Sequence, residues 1–354
     1  EPNILYWKGS RGEYFKLYDF AVDGVRRALP AAKVGGPAAA GGPGGSFLAA
    51  FLDHCARGQN QATGGTGAPL DFISFHAKGR VAYRDGHIMM GLASQYRDID
   101  RAFAVVASFP RYRRTPIFIS ECDPESCAAC RNPSDGYRLR PLYASFVAAS
   151  FGHLPELAAE RGVNLRGALT WAFEFEGAPP FAGFRVLSTD GIDLPILNLF
   201  RLYSRLSGQR LAVVSDHGVA TQAILESGVR DGPDVSALAC RSGGSISVLA
   251  WNYQDLAAPG PAARVTLRLT GLTPGGAAKS VRCYRVDWDH GNPYALWLKL
   301  GSPKELTPAQ RAALVEAGHL GRPQFLAVAT EPDGTRVATF DLPREGIALL
   351  DGLR

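Results

Sequence analysis

Two acidic residues, Glu1 and Glu121, stand where predicted strands end. Enzymes built from alternating strands and helices carry their catalytic groups at the carboxyl ends of the strands. Two carboxylates beside one bond suit hydrolysis of a glycoside, since one protonates the departing oxygen and the other attacks the anomeric carbon or activates water. A glutamate at a strand end is more often a solvated turn residue. Glycoside hydrolysis by these two residues is therefore a hypothesis, and it needs support from other residues.

A histidine and a lysine follow another predicted strand. His76 ends that strand and could donate a hydrogen bond to a sugar hydroxyl or to the attacking carboxylate. The alternative interpretation is that His76 has only a structural role, which is the more common case for a single histidine. Lys78 could meet an anionic group of a substrate, although most lysines of this kind are solvated surface residues.

Aromatic and acidic residues follow a third predicted strand. Trp171 could form a platform under a sugar ring, or could equally be a packing residue at the strand end. Glu174 and Glu176 could bind hydroxyl groups or simply face solvent.

Cys127 and Cys130 form a C-x-x-C motif, with Cys122 shortly before it. A zinc site would need a second pair of ligands at a fitting interval, and none is evident. A thioredoxin-like context is also lacking. We therefore favour a loop disulfide or free thiols over a metal site, and a thiol-redox function ranks last.

Composition narrows the classes of protein. Of 354 residues, 46% are apolar and 20% are charged, which excludes long disorder, collagen and coiled coils. A net charge of +5 without a basic, aromatic-rich stripe argues against nucleic acid as a partner. No run of about 18 apolar residues occurs, so we expect no membrane-spanning helix and no membrane partner. The sequence leaves the oligomeric state open. It also leaves open whether the protein is cytoplasmic or periplasmic/secreted.

Strand and helix patterns alternate over the first 207 residues, which predicts βαβ units and a parallel sheet. The predicted helices lie near 12–29, 46–56, 92–109, 137–160 and 195–207, and the predicted strands lie near Val34, 72–75, 115–120 and 166–173. If Glu1 is counted as the end of a further strand, the sequence contains five strand ends but only four complete strand–helix units. If they belong to a (β/α)8 barrel, which has eight strands, the chain begins at the end of the fourth.

The pattern changes near residue 208, where short strands with turn signals replace the helices. These strands are predicted at 211–214, 220–226, 246–251, 264–269, 280–286, 325–330 and 336–342. One helix interrupts them, with Thr307 as its cap, Pro308 at its first position and Gln310 completing a capping box. The fold prediction is therefore α/β: the last four to five strands of a (β/α)8 barrel over residues 1–207, then an antiparallel β-sandwich over 208–354.

Several motifs, taken in order, resemble glycoside hydrolase family 39, which holds β-xylosidases and α-L-iduronidases. They are Glu1-Pro2-Asn3, Val34-Gly35-Gly36-Pro37, Asp71-Phe72-Ile73-Ser74-Phe75-His76, Pro116-Ile117-Phe118-Ile119-Ser120-Glu121, Leu169-Thr170-Trp171-Ala172-Phe173 and Asp289-His290-Gly291-Asn292-Pro293-Tyr294.

The resemblance implies a retaining mechanism, with Glu1 as the acid/base, Glu121 as the nucleophile and about 5–5.5 Å between their carboxyl groups. It implies no metal and no organic cofactor. The predicted substrate-binding residues are Asn3, His76, Lys78, Trp171 and Glu174. The family has an Asn directly before its acid/base Glu, and here that position precedes residue 1. We therefore expect this chain to be a fragment of a longer enzyme.

The substrate is predicted to be an oligosaccharide or another glycoside. Ser120-Glu121-Cys122-Asp123-Pro124 and His76-Ala77-Lys78-Gly79 resemble the iduronidase branch, in which the lysine contacts a uronic acid carboxylate. A fixed ammonium group favours a carboxylate over a neutral pentose. One lysine is a small signal, so β-xylosidase activity on xylan or xylo-oligosaccharides stays the first prediction. An iduronidase-like uronidase is the second, and a non-catalytic carbohydrate-binding fragment is the alternative from another class.

Overall fold

The computed structural model of the chain describes residues 1–41, 45–272 and 279–353. The chain is of mixed α/β type and divides into two compact units. The first comprises Glu1–Arg80, Leu92–Ser126 and His153–Trp171, and the second comprises Val81–Gly91, Cys127–Gly152 and Ala172–Arg354. The boundary between residues 207 and 208 stays a prediction.

Helices and strands alternate in the first part of the chain, and strands predominate in the second. The helices are α1 (Arg11–Ala28), α2 (Gly45–Arg57), α3 (Leu92–Ala107), α4 (Pro141–Arg161), α5 (Pro195–Tyr203), α6 (Thr221–Ser227), α7 (Pro293–Lys299) and α8 (Pro308–Gly318). The strands are β1 (Gly35–Ala39), β2 (Phe72–Lys78), β3 (Ala82–Arg84), β4 (His87–Met89), β5 (Ile117–Asp123), β6 (Leu165–Ala168), β7 (Ser188–Thr189), β8 (Ile192–Asp193), β9 (Gln209–Leu211), β10 (Asp234–Ser242), β11 (Ser245–Tyr253), β12 (Ala263–Leu269), β13 (Ser280–Val286), β14 (Gln324–Ala327), β15 (Ala329–Thr330), β16 (Arg336–Leu342) and β17 (Ile347–Leu353). Among the described residues, none of these helices has both the length and the apolar character needed to span a bilayer.

A four-stranded parallel sheet, in the order β1-β2-β5-β6, forms the centre of the first unit. Helices join its successive strands, as the sequence pattern predicts. In α3 the predicted apolar face is buried, and Phe103 of that face packs against Phe75 of β2 with ring centroids 6.0 Å apart. Helix α3 therefore covers the face of β2 to which Phe75 points.

Two antiparallel sheets make up most of the second unit. One has six strands in the order β14-β13-β17-β11-β10-β9, and the other has three in the order β12-β16-β15. Their inward-facing residues share one core, which includes Val248, Leu350 and Phe340. Helix α8 begins as predicted, because Thr307 and Gln310 form the capping box and Pro308 holds the first position.

The structure corrects some predicted elements. A strand is predicted at residues 220–226, but Ala220 is the N-cap of helix α6 and residues 221–226 lie in that helix, in which Thr221 and Ile224 are buried three residues apart. The strand predicted at 166–173 ends at Ala168, so Trp171 lies beyond it. Strands β10 and β17 were not predicted from the sequence.

The C-x-x-C motif is a disulfide between Cys127 and Cys130, with the two Cα atoms 5.4 Å apart. This confirms the disulfide alternative over separate thiols. The buried Arg138 guanidinium donates to the carbonyls of Cys127 (2.5 Å), Ala128 (3.2 Å) and Cys130 (2.5 Å), and so holds the loop around the bond. Cys122 is buried and lies outside this disulfide.

Two helical glycines predict opposite effects of the same substitution. A Cβ atom at Gly152 in α4 would lie within 3.0 Å of the Trp251 indole, which is fixed by a 2.6 Å hydrogen bond to Asp234. A Cβ at Gly24 in α1 would meet nothing within 4 Å. Gly152→Ala should therefore lower stability by about 1–3 kcal/mol through overpacking. Gly24→Ala should raise it by about 0.5–1 kcal/mol through better helix propensity. Thermal unfolding followed by circular dichroism tests both, and equal shifts in the two variants would contradict the prediction.

Candidate active site

Four polar side chains face one another across the neighbouring parallel strands β2 and β5. His76 is paired with Glu121, and Lys78 is paired with Asp123. Residues two apart on a strand point to the same face of a sheet. All four side chains therefore lie on one face, opposite to the face on which Phe75 packs against α3.

A β-bulge in β5 creates this pairing. Phe75 is paired with Ile119, yet the next residue of β2, His76, is paired with Glu121, so Ser120 is an extra residue in β5. Regular alternation from the buried Ile119 would turn Glu121 towards the helices. The bulge instead brings Glu121 to the face of His76, and bulges are common beside active sites for this reason.

Glu1 approaches the same face from the start of the chain. Its Oε1 lies 2.8 Å from His76 Nδ1, and that nitrogen lies 3.6 Å from Glu121 Oε2. One oxygen from each glutamate and one nitrogen of His76 all lie within 4.8 Å of one another. The side chains of Glu1 and Glu121 are 17% and 23% exposed, so both are partly desolvated yet reach solvent. An inverting pair needs about 6.5–9.5 Å for an intervening water, so this shorter spacing suits direct attack by one carboxylate.

Lys78 and Asp123 complete the network. Lys78 Nζ donates to Glu121 Oε2 at 2.5 Å and also to Asp123 Oδ2. Asp123 is fully buried, and its Oδ1 accepts from Thr170 Oγ1 at 2.6 Å and from the Trp171 backbone N–H at 2.9 Å. A charged hydrogen bond to a buried carboxylate is among the stronger contacts in a protein. Asp123 therefore ties Lys78 to the segment that follows β6.

The structure brings several of the predicted site residues together within the first unit. Glu1, His76, Lys78 and Glu121 share the contacts above, and the backbone of Trp171 joins them through Asp123. Glu174 belongs to the second unit, where its Oε1 accepts from Ser188 Oγ.

Asn3 is occupied by the backbone that follows β1. Its Nδ2 donates to the Ala40 carbonyl at 3.3 Å, and its Oδ1 accepts from the Ala40 N–H at 2.8 Å. The side chain thus anchors the first residues of the chain to this loop. Binding of a substrate by Asn3 stays a prediction.

Glu1, His76 and Glu121 could also hold a metal ion, since each offers a ligand atom within the 4.8 Å spacing. The Lys78 ammonium already lies on Glu121 Oε2. A divalent cation would have to approach this fixed positive charge, which costs electrostatic energy at such short range. The donor set thus suits hydrogen bonding and proton transfer better than metal binding.

Asp123 is the residue that the sequence reasoning missed as a member of the site. A signal was present, because Glu121 and Asp123 are two apart, as are His76 and Lys78. The predicted strands stopped at Glu121 and His76, whereas β5 and β2 each run two residues further. The prediction therefore left Asp123 and Lys78 in loops, where alternation carries no information.

The chain is similar to several known proteins. The family model for Glycosyl hydrolases family 39 matches residues 1–331. A β-xylosidase of Caldicellulosiruptor saccharolyticus is 24% identical over 326 residues, covering 90% of this chain and 60% of that protein. The α-L-iduronidase of Mus musculus is 30% identical over 316 residues, covering 82% of this chain and 47% of that protein.

The solved structure of the bacterial orthologue of human α-L-iduronidase superposes with a TM-score of 0.77 at 21% identity, and the match covers all of this chain and 61% of that one. The likeness at this identity concerns the fold. The chain spans 60% of the length of the β-xylosidase it matches and 47% of that of the mouse iduronidase.

Proposed function

Because this chain belongs to family 39 of the glycosyl hydrolases, we propose that it is a retaining glycosidase acting at the non-reducing end of β-xylosides such as xylo-oligosaccharides. The observation that carries the proposal is the cluster of Glu1, His76 and Glu121, whose reactive atoms lie within 4.8 Å of one another. A covalent double displacement needs two carboxylates at about this separation, one on each side of the bond that breaks.

Glu121 attacks and Glu1 transfers the proton. A carboxylate oxygen of Glu121 bonds to the anomeric carbon while the bond from that carbon to the leaving oxygen breaks, and Glu1 gives its proton to that oxygen. Glu1, now ionised, takes a proton from water, whose oxygen attacks the same carbon and releases Glu121. The sugar leaves with its original anomeric configuration, since the carbon is inverted twice.

His76 and Lys78 support the two acids in different ways. His76 Nδ1 is within hydrogen-bond distance of Glu1 Oε1, at 2.8 Å, and so orients the acid/base. Lys78 Nζ donates a hydrogen bond to Glu121 Oε2 at 2.5 Å and so orients the proposed nucleophile.

The pairing of Lys78 supports a neutral sugar over a uronate. Its ammonium contacts two carboxylates, Glu121 and Asp123, so its charge is already compensated before a substrate enters. A uronate carboxylate would compete with both. An iduronidase-like activity is the second candidate, favoured by the presence of this cation at the site and by the 30% identity to the mouse enzyme.

We also propose the finer architecture. The parallel sheet with helices between its strands supports the last part of a (β/α)8 barrel over residues 1–207. The two antiparallel sheets with a common core support a β-sandwich over residues 208–354.

Turnover of paired aryl glycosides tests the function. We expect the 354-residue chain to release the aryl alcohol from an aryl β-xyloside at least tenfold faster than from the matching aryl α-L-iduronide. This factor corresponds to a preference of about 1.4 kcal/mol for the uncharged sugar. Nuclear magnetic resonance of the first product should show β-xylose before mutarotation. Exclusive turnover of the iduronide would replace the first proposal by the second. Binding of xylo-oligosaccharide without turnover, unaltered in Glu121→Gln, would point to a carbohydrate-binding fragment.

A further inference from the structure

We propose that the Cys127–Cys130 disulfide is a site of reversible reduction by dithiols, and that its reduction releases one wall of a pocket in the second unit. The inference goes beyond the proposed function and does not depend on it. It concerns residues 127–131, called the disulfide loop below, all of which belong to the second unit.

The disulfide contributes little as a staple of the fold. A disulfide stabilises a protein mainly by restricting its unfolded chain, and this effect grows with the length of the loop that the bond closes. Cys127 and Cys130 lie only three positions apart, so the bond restricts very little chain. The buried Arg138 guanidinium also holds the loop, because it donates to the backbone carbonyls of both cysteines at 2.5 Å. We therefore expect the protein to stay folded after the bond opens.

The two bonded cysteines differ in their surroundings. Cys130 is exposed, whereas Cys127 is half-buried, so a thiol in solution reaches Cys130 first. The Cys130 N–H donates to Cys127 Sγ at 3.2 Å. The same N–H can donate to this sulfur when it carries a negative charge, and a hydrogen bond to a charged acceptor is stronger than one to a neutral acceptor. Attack on Cys130 with departure of Cys127 is therefore the favoured direction of exchange.

The reduction proceeds in two exchanges. A thiolate of the dithiol attacks Cys130 Sγ, the S–S bond breaks, and its electron pair leaves with Cys127 Sγ. The second thiolate of the same reagent then attacks the mixed disulfide and releases Cys130 Sγ as a thiolate. The reagent ends as a cyclic disulfide, having given up two electrons and two protons, and the protein gains them as two thiols.

The disulfide loop contacts one wall of a pocket. The Arg185 N–H donates to the Ala128 carbonyl at 2.9 Å. The Arg131 guanidinium lies 5.3 Å from the centre of the Phe184 ring, a cation–π contact. Phe184 stacks on Phe175 with ring centroids 4.4 Å apart, and both rings line the pocket. The loop therefore holds this wall through one hydrogen bond and one ring contact.

Reduction should weaken this hold without unfolding the loop. The hydrogen bonds of Arg138 keep the reduced loop in place on average, but they open and close reversibly, whereas the covalent bond does not. Arg131 directly follows the exposed Cys130, so it moves with that residue when the loop opens. The loop then separates from Phe184 more often, and the wall of the pocket becomes more mobile.

Treatment of the native 354-residue chain with dithiothreitol tests the first part of the inference. We expect two additional thiols to react with iodoacetamide, which mass spectrometry should locate at Cys127 and Cys130, while the circular dichroism spectrum stays that of the untreated protein. Glutathione, a monothiol, should trap the first step when the reaction is quenched with acid. The adduct should be at least about tenfold more abundant on Cys130 than on Cys127.

Hydrogen exchange tests the second part. On reduction, the Arg185 amide should exchange at least about tenfold faster, because its acceptor is the Ala128 carbonyl of the disulfide loop. The amides of β17, which is paired with β11 in the same unit, should be unaffected. Cys130→Ser should show the faster exchange with or without dithiothreitol. The matched control is Cys240→Ser, which removes a half-buried cysteine outside the disulfide and should respond to dithiothreitol as the parent does.

Each outcome supports or overturns a part of the inference. Absence of additional thiols in the folded chain overturns the reduction site, and an adduct found mainly on Cys127 overturns the direction of attack. Release of both thiols with unchanged exchange of the Arg185 amide overturns the hold on the pocket wall. If Cys130→Ser does not fold, the parent chain with and without dithiothreitol still gives these results. No glycoside is used, so failure of the proposed function would leave every readout intact.

Discussion

Replacement of Glu121 by glutamine will lower kcat on an aryl β-xyloside by on the order of 10^4-fold, or roughly 5 kcal/mol of transition-state stabilisation. Glutamine has nearly the same shape, but its amide is a poor nucleophile and cannot form the glycosyl ester. The amide also loses the charge that Lys78 Nζ contacts at 2.5 Å. Steady-state kinetics of the purified variant gives the number.

The proposed role of Glu121 as the nucleophile has a chemical signature beyond loss of rate. Azide can replace a missing nucleophile in the smaller variant Glu121→Ala, and a single displacement by azide yields the glycosyl azide of inverted configuration. The matched control is Glu305→Gln, because Glu305 is an exposed glutamate of the second unit. Its kcat should equal that of the parent chain. A Glu121→Gln variant that folds and retains more than a tenth of the parent rate would exclude this residue as the nucleophile.

Glu1→Gln should show an effect that depends on the leaving group. General acid catalysis contributes about 10^2–10^4-fold when the departing oxygen is basic. We expect kcat/KM to fall by about that factor on xylobiose, whereas an activated dinitrophenyl xyloside, whose leaving group needs no proton, should keep most of its kcat/KM. The contact of His76 Nδ1 with Glu1 Oε1 at 2.8 Å is the structural basis for the assignment.

The second step distinguishes Glu1 from Glu121. Without its base, Glu1→Gln should accumulate the glycosyl ester, so kcat and KM on the activated substrate should both fall. Azide should restore turnover and yield the product of retained configuration. An equal loss on both substrates, with no response to azide, would contradict the acid/base role.

The sequence predicts much of this site because local rules govern much of it. Tyr96, Ile99 and Phe103 follow helical spacing, and α3 buries all three. Short runs rich in aromatic and β-branched residues located β2 and β5, and the carboxyl ends of adjacent parallel strands converge by geometry. The approach of Glu1, His76 and Glu121 follows from those rules and from the family resemblance.

Other parts of the structure depend on contacts that no local pattern contains. The bulge at Ser120 is a matter of strand pairing, so the alternation of Ile117 and Ile119 assigns Glu121 to the wrong face. The hydrogen bonds of Asp123 are made with Thr170 and Trp171, which lie 47 and 48 positions later in the chain. Helix α6 forms where a strand was predicted, although four of its seven residues, Gln222, Ala223, Leu225 and Glu226, are good helix formers.

The extra serine in β5 also bears on transplantation of this constellation into designed scaffolds. Suppose that Ile119-Ser120-Glu121-Cys122-Asp123 is copied into an ideal strand without a bulge. Both carboxylates would then point to the face that the helices cover, and the cysteine would point to the face of the site. Omitting the serine, or building the irregularity into the receiving backbone, restores the intended orientation. The smallest portable unit is thus a segment with its irregular backbone, and the side-chain identities alone are insufficient.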